Sequence, residues 1–165
     1  MFIAYLPAGY ILGSKIARSR KAARNKLLLI FTMIGSVAPD LDLIYFYTLD
    51  NRIHSHHEYF SHMPIFWLGI GLLGALLFKL PRVSISLLGL CLGGLLHCIL
   101  DTAVGGIYWM IPFDDSIIRF SHVPKRYDFW VFNFIFHWYF VFEILICGWA
   151  FNLCRKNFKP QQLFC

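Results

Sequence analysis

Charge is the scarcest commodity in this 165-residue chain: only 15% of residues are Asp, Glu, Lys or Arg, against 58% hydrophobic ones. Soluble domains carry about 25% charge, and mean hydropathy is +0.60. That excludes an ordinary soluble domain and predicts one integral membrane domain spanning residues 1–165. No CxxC pair occurs among Cys91, Cys98, Cys147, Cys154 and Cys165. A disulfide framework and a cysteine zinc site are therefore not expected, and the thiols read as small packing residues. No GxSxG surrounds Ser36, Ser55 or Ser61, so a serine hydrolase is not indicated. No internal repeat or low-complexity linker is present. No basic residues precede the first apolar stretch, Met1 to Gly13, as they would in a signal peptide. It is read as a short, helical, mature segment.

What charge there is lies in blocks. Six of the fifteen Lys and Arg fall between Lys15 and Lys26, with no acid among them. Beside apolar runs, such a block reads as a cytoplasmic anchor at anionic lipid. A nucleic-acid face is the lesser reading of the same residues. Lys79 and Arg82, and Arg155, Lys156 and Lys159 in the tail, fall on the same predicted side.

The apolar runs predict an all-α, polytopic membrane helix bundle with four or five spanning segments and one broken helix. Leu27 to Leu49 is interrupted by Gly35, Ser36 and Pro39. The expected shape is a helix to about Gly35 and a second from Pro39 to about Leu49, since proline starts helices but breaks their interiors. Met63 to Leu80, Val83 to about Val104 and Phe129 to Cys154 are the other expected spans. Ile107 to Asp128 reads as a loop, with Asp114 and Asp115 in a turn.

Against this apolar background the residues from Gly35 to Pro64 stand out. They hold Asp40 and Asp42 behind Pro39, and four of the seven histidines: His54, His56, His57 and His62. Ionisable groups beside lipid-length apolar runs are costly and mark functional sites by default. Carboxylate with imidazole is a donor set for zinc, with manganese or iron also compatible. On a continuous helix Asp40 and Asp42 would point about 200° apart; at the start of a new helix both can turn to one site. His97 and Asp101, spaced i, i+4, share a helix face. That pair reads equally as metal ligands or as a histidine bonded to its own aspartate, with Asp101 orienting rather than ligating. The predicted topology gathers Asp42, His56, His57, His62, His97, Asp101 and His122 at the outer face of the membrane. Asp40, Asp42, His62 and His97 are the expected direct ligands. His56 or His57 is expected to complete a second site or to shuttle a proton. His54 and His122 read as solvated; the buried His137 and Glu143 read equally as satisfied bridges between helices or as functional groups.

Four segments carry a resemblance: FIAYLPAGYILG from Phe2, GSVAPDLDL from Gly35, HHEYFSHMP from His56 and HCILDTAVGGIYWMIPF from His97. Together they resemble the YdjM-like family of LexA-binding, inner-membrane-associated proteins described as metal-dependent hydrolases. The resemblance runs to about Phe113, and NFIFHWYFVFE in the last span is similar to a short subgroup. It implies a multi-pass protein of the bacterial inner membrane with Asp40, Asp42, His62, His97 and Asp101 at a metal centre. A more distant similarity is to zinc-dependent phospholipases C. Where the family often has His in its first apolar segment, this chain has Tyr5, which would weaken one metal position. The resulting expectation is hydrolysis of a phosphoester or related bond, with a membrane lipid or lipid-linked headgroup as substrate. The rivals are a non-catalytic metal-binding or transport protein, and a structural membrane protein whose histidines form a pH-sensitive contact.

Overall fold

The computed structural model describes residues 3–17, 22–50 and 56–157. Its helices are α1 (Tyr5–Ala17), α2 (Ala22–Gly35), α3 (Asp42–Thr48), α4 (Pro64–Leu76), α5 (Pro81–Thr102), α6 (Trp130–Ile135) and α7 (Tyr139–Asn157). Short 3₁₀ turns cover Pro39–Leu41, His56–Glu58 and Phe60–His62. Among the described residues β structure is confined to a single bridge, Ile107 with Ile118. The all-α expectation therefore holds.

Proline sets the starts. Pro39, Pro64 and Pro81 each stand at the first positions of a helical element, where a missing N–H costs nothing. The expected break in the second apolar run is present. α2 ends at Gly35, a new turn begins at Pro39, and the two halves are bent by 47°.

Four or five spans, however, do not follow. α1 and α4 have 13 residues each, below the roughly 20 needed to cross a hydrocarbon core. Among the described residues α5 alone is long and apolar enough, and the bent pair Asn25–Gly35 with Pro39–Thr48 adds a second if it counts as one span. The apolar runs are as long as expected, but turns at Leu77–Leu80 and at Phe136–Trp138 cut the helices short.

α5 is the central element, packed against α2, α4 and α1, while α7 packs on α1. The α2–α5 seam is made by glycine. A Cβ at Gly93 would strike the Thr32 carbonyl and the Ser36 amide; one at Gly89 would lie 3.0 Å from the Leu28 carbonyl. From the other side, a Cβ at Gly35 would meet the Leu90 backbone. Gly89 and Gly93 form the small-xxx-small spacing that lets membrane helices approach backbone to backbone. On a neighbouring face of α5, Gly94 accommodates the Trp67 ring. Trp67 Nε1 donates to the Ser61 carbonyl at 2.8 Å, fixing the turn that leads into α4.

Candidate metal centre

The α2 break, the turn before α4 and the last turns of α5 converge on one buried cluster. His62 and His97 are fully buried and Asp101 is 1% exposed. Asp40 reaches them from the start of the post-break turn, its side chain 29% exposed.

Each histidine is oriented from behind. His97 Nδ1 donates to the Ser36 carbonyl at 2.9 Å. That carbonyl lies just past the end of α2, where the helix leaves its last C=O groups without intrahelical partners. His62 Nδ1 donates to Asp42 Oδ2 at 2.8 Å, and Ser61 Oγ donates to the same oxygen at 2.5 Å. With both Nδ1 atoms serving as donors to acceptor-only groups, Nε2 is the atom each ring turns inward.

There the Nε2 atoms meet oxygen. His97 Nε2 lies 3.1 Å from Asp101 Oδ2 and 3.6 Å from Asp40 Oδ1. His62 Nε2 lies 3.7 Å from each of those oxygens. His97 Nε2 is buried and makes no hydrogen bond, because its approach to Asp101 lacks the geometry. A neutral ring would thus place a nitrogen lone pair against a carboxylate in a buried site, which needs a cation between them. Four donors at 2.0–2.1 Å from one tetrahedral zinc would lie roughly 3.3 Å apart. The four distances above bracket that value, and the donors of Asp40, His62 and His97 all lie within 4.8 Å of one another, so these residues fit a divalent metal.

Two overlapping triads have this character: Asp40 with His62 and His97, and His57 with His62 and Asp101. Both rely on His62, whose Nδ1 is already engaged by Asp42. A single inward nitrogen serves one ion, so the arrangement suits one metal rather than two. His57 Nδ1 stands 3.7 Å from Asp101 Oδ2 with its side chain 14% exposed. A Cβ at Gly105 would strike the His57 ring, so the Gly105-Gly106 turn makes room for it.

Asp42, expected as a direct ligand, stands behind His62 and orients it; it belongs to neither triad. Asp101, for which the sequence leaves both a ligand and an orienting role open, faces inward with Oδ2. Its other oxygen, Oδ1, accepts a hydrogen bond from Tyr5 Oη. Tyr5 also stacks on His97, ring centroids 4.0 Å apart. Tyr5 thus packs on the cluster and holds Asp101 in place. The side chain of His56 and all of His54 lie outside the described residues. His122 is exposed and enters neither triad. His137 sits in the bend between α6 and α7, stacked on Tyr139. Glu143 bridges helices: its Oε2 accepts from the amides of Ile3 at 2.5 Å and Ala4 at 3.2 Å. It thereby fixes the residues leading into α1 and Tyr5. Asp114 forms the expected turn, accepting from Ser116 N and Oγ.

His62 lies in the turn before α4. Burial lowers its pKa, but its hydrogen bonds to the Asp40 and Asp42 carboxylates, with the charges of Asp42 and Asp101, raise it more, to about 9. The surrounding carboxylates thus hold a positive charge at this point of the site, whether a proton or a metal supplies it.

The family model for YdjM inner membrane protein matches residues 5–157. The chain belongs to the YdjM inner membrane protein family. The match covers every helix of the fold and every residue of the cluster just described. No curated protein and no solved structure matches the chain.

Proposed function

We propose that this YdjM-family protein is a membrane-embedded, metal-dependent hydrolase of a phosphoester or related bond. The observation that carries the reading is the buried His97 Nε2, held by the Ser36 carbonyl and turned onto carboxylate oxygen without a hydrogen bond. In this reading Asp40, His62, His97 and Asp101 hold one divalent cation, zinc being the simplest fit to two imidazoles and two carboxylates. When bound, such an ion lowers the pKa of water and polarises a phosphoryl oxygen.

The chain's own residues do the rest. Asp42 and the Ser36 carbonyl fix the two imidazoles, and Tyr5 fixes Asp101, the outer-shell role that raises ligand basicity and sets direction. Hydrolysis replaces the bond from phosphorus to the leaving oxygen with one to water oxygen. Water gives up a proton and the leaving oxygen takes one. His57, at the edge of the cluster beside Asp101 and partly open, is positioned to hold or hand on that proton. Asp40, the most exposed of the four, marks the side from which substrate approaches. The basic block from Lys15 to Lys26 is assigned to the cytoplasmic face and the cluster to the opposite one, by the distribution of positive charge.

Metal analysis of the purified protein tests the reading. About one zinc, manganese or iron per chain is expected, falling to a small fraction in His97→Ala. Hydrolysis of bis(p-nitrophenyl) phosphate should follow the metal content. A wild-type protein purified without stoichiometric metal, and taking none up, would sink the proposal.

A further inference from the structure

The cluster does not stand alone. A cavity of about 670 Å³ lies between α3 and the start of α4, within the range of small-ligand sites. Ala38, Leu41 and Tyr45 line one side of it, and Phe60, Phe66 and Trp67 the other. Tyr59 lies on the same side as Phe60, and Asp42 and Ser61 complete the lining. They are the pair that meets His62: Ser61 Oγ and His62 Nδ1 both donate to Asp42 Oδ2. The second oxygen, Asp42 Oδ1, is buried and takes no hydrogen bond. An apolar cavity therefore shares a wall with the carboxylate that sets the metal centre.

We propose that this cavity binds a hydrocarbon chain of a membrane lipid whose phosphoester lies at the cluster, so that the substrate is a lipid phosphoester rather than a soluble one. Three observations point to that occupant. The lining is mostly aliphatic and aromatic; a sugar, nucleotide or peptide would leave most of its polar groups unpaired there, at a cost a hydrocarbon does not incur. The rim residues Leu41 and Phe60 are 64% and 65% exposed. They continue into an exposed apolar row, Ile65, Leu68, Leu72 and Leu76 on α4, a surface suited to lipid. A chain can thus enter sideways from the bilayer without crossing a polar rim. Finally, the cavity adjoins Asp42 on the side of His62, which is where a headgroup attached to that chain would have to lie. The headgroup's place rests on the hydrolase reading; the chain site does not.

The test uses the full protein in nanodiscs of dioleoylphosphatidylcholine doped with phosphatidic acid that carries a diazirine in its acyl chain. After irradiation, peptide mapping should find adducts concentrated between Leu41 and Tyr45 and between Tyr59 and Trp67. Unlabelled phosphatidic acid should displace them and inorganic phosphate should not. Leu41→Trp, and separately Phe60→Trp, place bulk at an exposed rim position without touching the core. Each should reduce cavity adducts at least fivefold while adducts at Leu72 and Leu76 stay constant. Adducts spread evenly over cavity and α4, or insensitive to both tryptophans, would mean annular lipid only and overturn the proposal. Displacement by inorganic phosphate as effective as by the lipid would overturn it too, since the headgroup alone would then account for binding. Asp40→Asn separates the two readings: cavity adducts should persist when metal is lost. In the wild-type protein, absent metal with intact adducts defeats the hydrolase, and intact metal without adducts defeats the chain site.

Discussion

The α2–α5 seam and the α6–α7 segment are both strongly apolar in sequence, yet the structure treats them in opposite ways. Along the seam Thr32, Ser36, His97 and Cys98 are fully buried. Along α7 the buried residues are Glu143 and Ala150, while Phe136, Trp138, Val141, Leu145 and Phe151 are more than half exposed. Residue size accounts for the difference. Glycine at 35, 89 and 93 lets two backbones touch, so polar groups of both helices reach each other. Large aromatics hold helices apart and turn outward, which costs little against lipid because lipid is as apolar as leucine. Hydropathy therefore locates this membrane protein's surface, and small residues locate its site.

The most severe way to break that comparison is to give the seam the side chains α7 carries. Gly93→Leu would drive a side chain into the Thr32 carbonyl and the Ser36 amide, whose positions set His97. Overpacking of this kind costs about 1–3 kcal/mol, and more where backbone is the obstacle. Loss of monodisperse protein, or of its metal, is expected. Leu145→Ala, at an exposed position, should change denaturation in mild detergent by less than about 0.5 kcal/mol. Equal damage from the two would show that the seam is not what holds the fold.

A smaller perturbation grades the seam's own residues. His97→Ala and Asp101→Asn remove inward donors and should abolish stoichiometric metal. Asp42→Asn and Tyr5→Phe remove only what stands behind a ligand, and outer partners typically contribute 10–100-fold in affinity. His122→Ala should be neutral. Calorimetric titration of zinc into stripped protein would measure the series. If Asp42→Asn proved as severe as His97→Ala, Asp42 would have to be a direct ligand after all.

That last alternative shows how far the sequence could be read. The residue types and the break at Gly35 to Pro39 were sufficient to name Asp40, Asp42, His62, His97 and Asp101 as neighbours. They could not divide the carboxylates into facing and supporting ones, because that depends on which oxygen each turns inward. The Ser36 carbonyl is a backbone group and leaves no mark in composition. Its only signal was the helix break, which frees carbonyls at the end of α2. Tyr5 read as a missing histidine, since no local pattern shows that a residue 96 positions before Asp101 will reach it. The number of spans was overestimated for a related reason: an apolar run reports solvent preference, whereas Leu77–Leu80 turns the chain within one.

Proton competition sharpens the same contrast more gently. Metal-binding requires His62 Nε2 unprotonated, and its carboxylate partners hold the proton up to about pH 9. Below that pH each metal bound should release one proton from His62, so apparent affinity should rise about tenfold per pH unit between pH 6 and 8. In stripped protein the sign is opposite. A raised imidazole pKa contributes stability that is complete below the unfolded value near 6.5 and is lost as pH rises through about 9. Stripped protein should therefore become less stable from pH 7 to 9 while zinc-loaded protein stays nearly level. Parallel pH trends in the two forms would remove His62 from the ligand set.

The mildest test reaches the site from α7, the region least involved in the core. Glu143 accepts the Ile3 and Ala4 amides at the same oxygen, Oε2. Glutamine at 143 keeps a carbonyl oxygen that can accept both, whereas alanine leaves two amides to find other partners. An unsatisfied buried donor costs about 1–3 kcal/mol. Glu143→Ala should thus loosen the entry to α1, and with it Tyr5, lowering zinc affinity severalfold without touching a ligand. Glu143→Gln should stay within about twofold of wild type, because hydrogen-bonding capacity is retained and only the charge is gone. Combining Glu143→Ala with Tyr5→Phe separates the routes: if Glu143 acts through Tyr5, the second substitution adds little to the first. Full additivity would mean that the last helix influences the metal centre by some path other than the hydroxyl on Asp101.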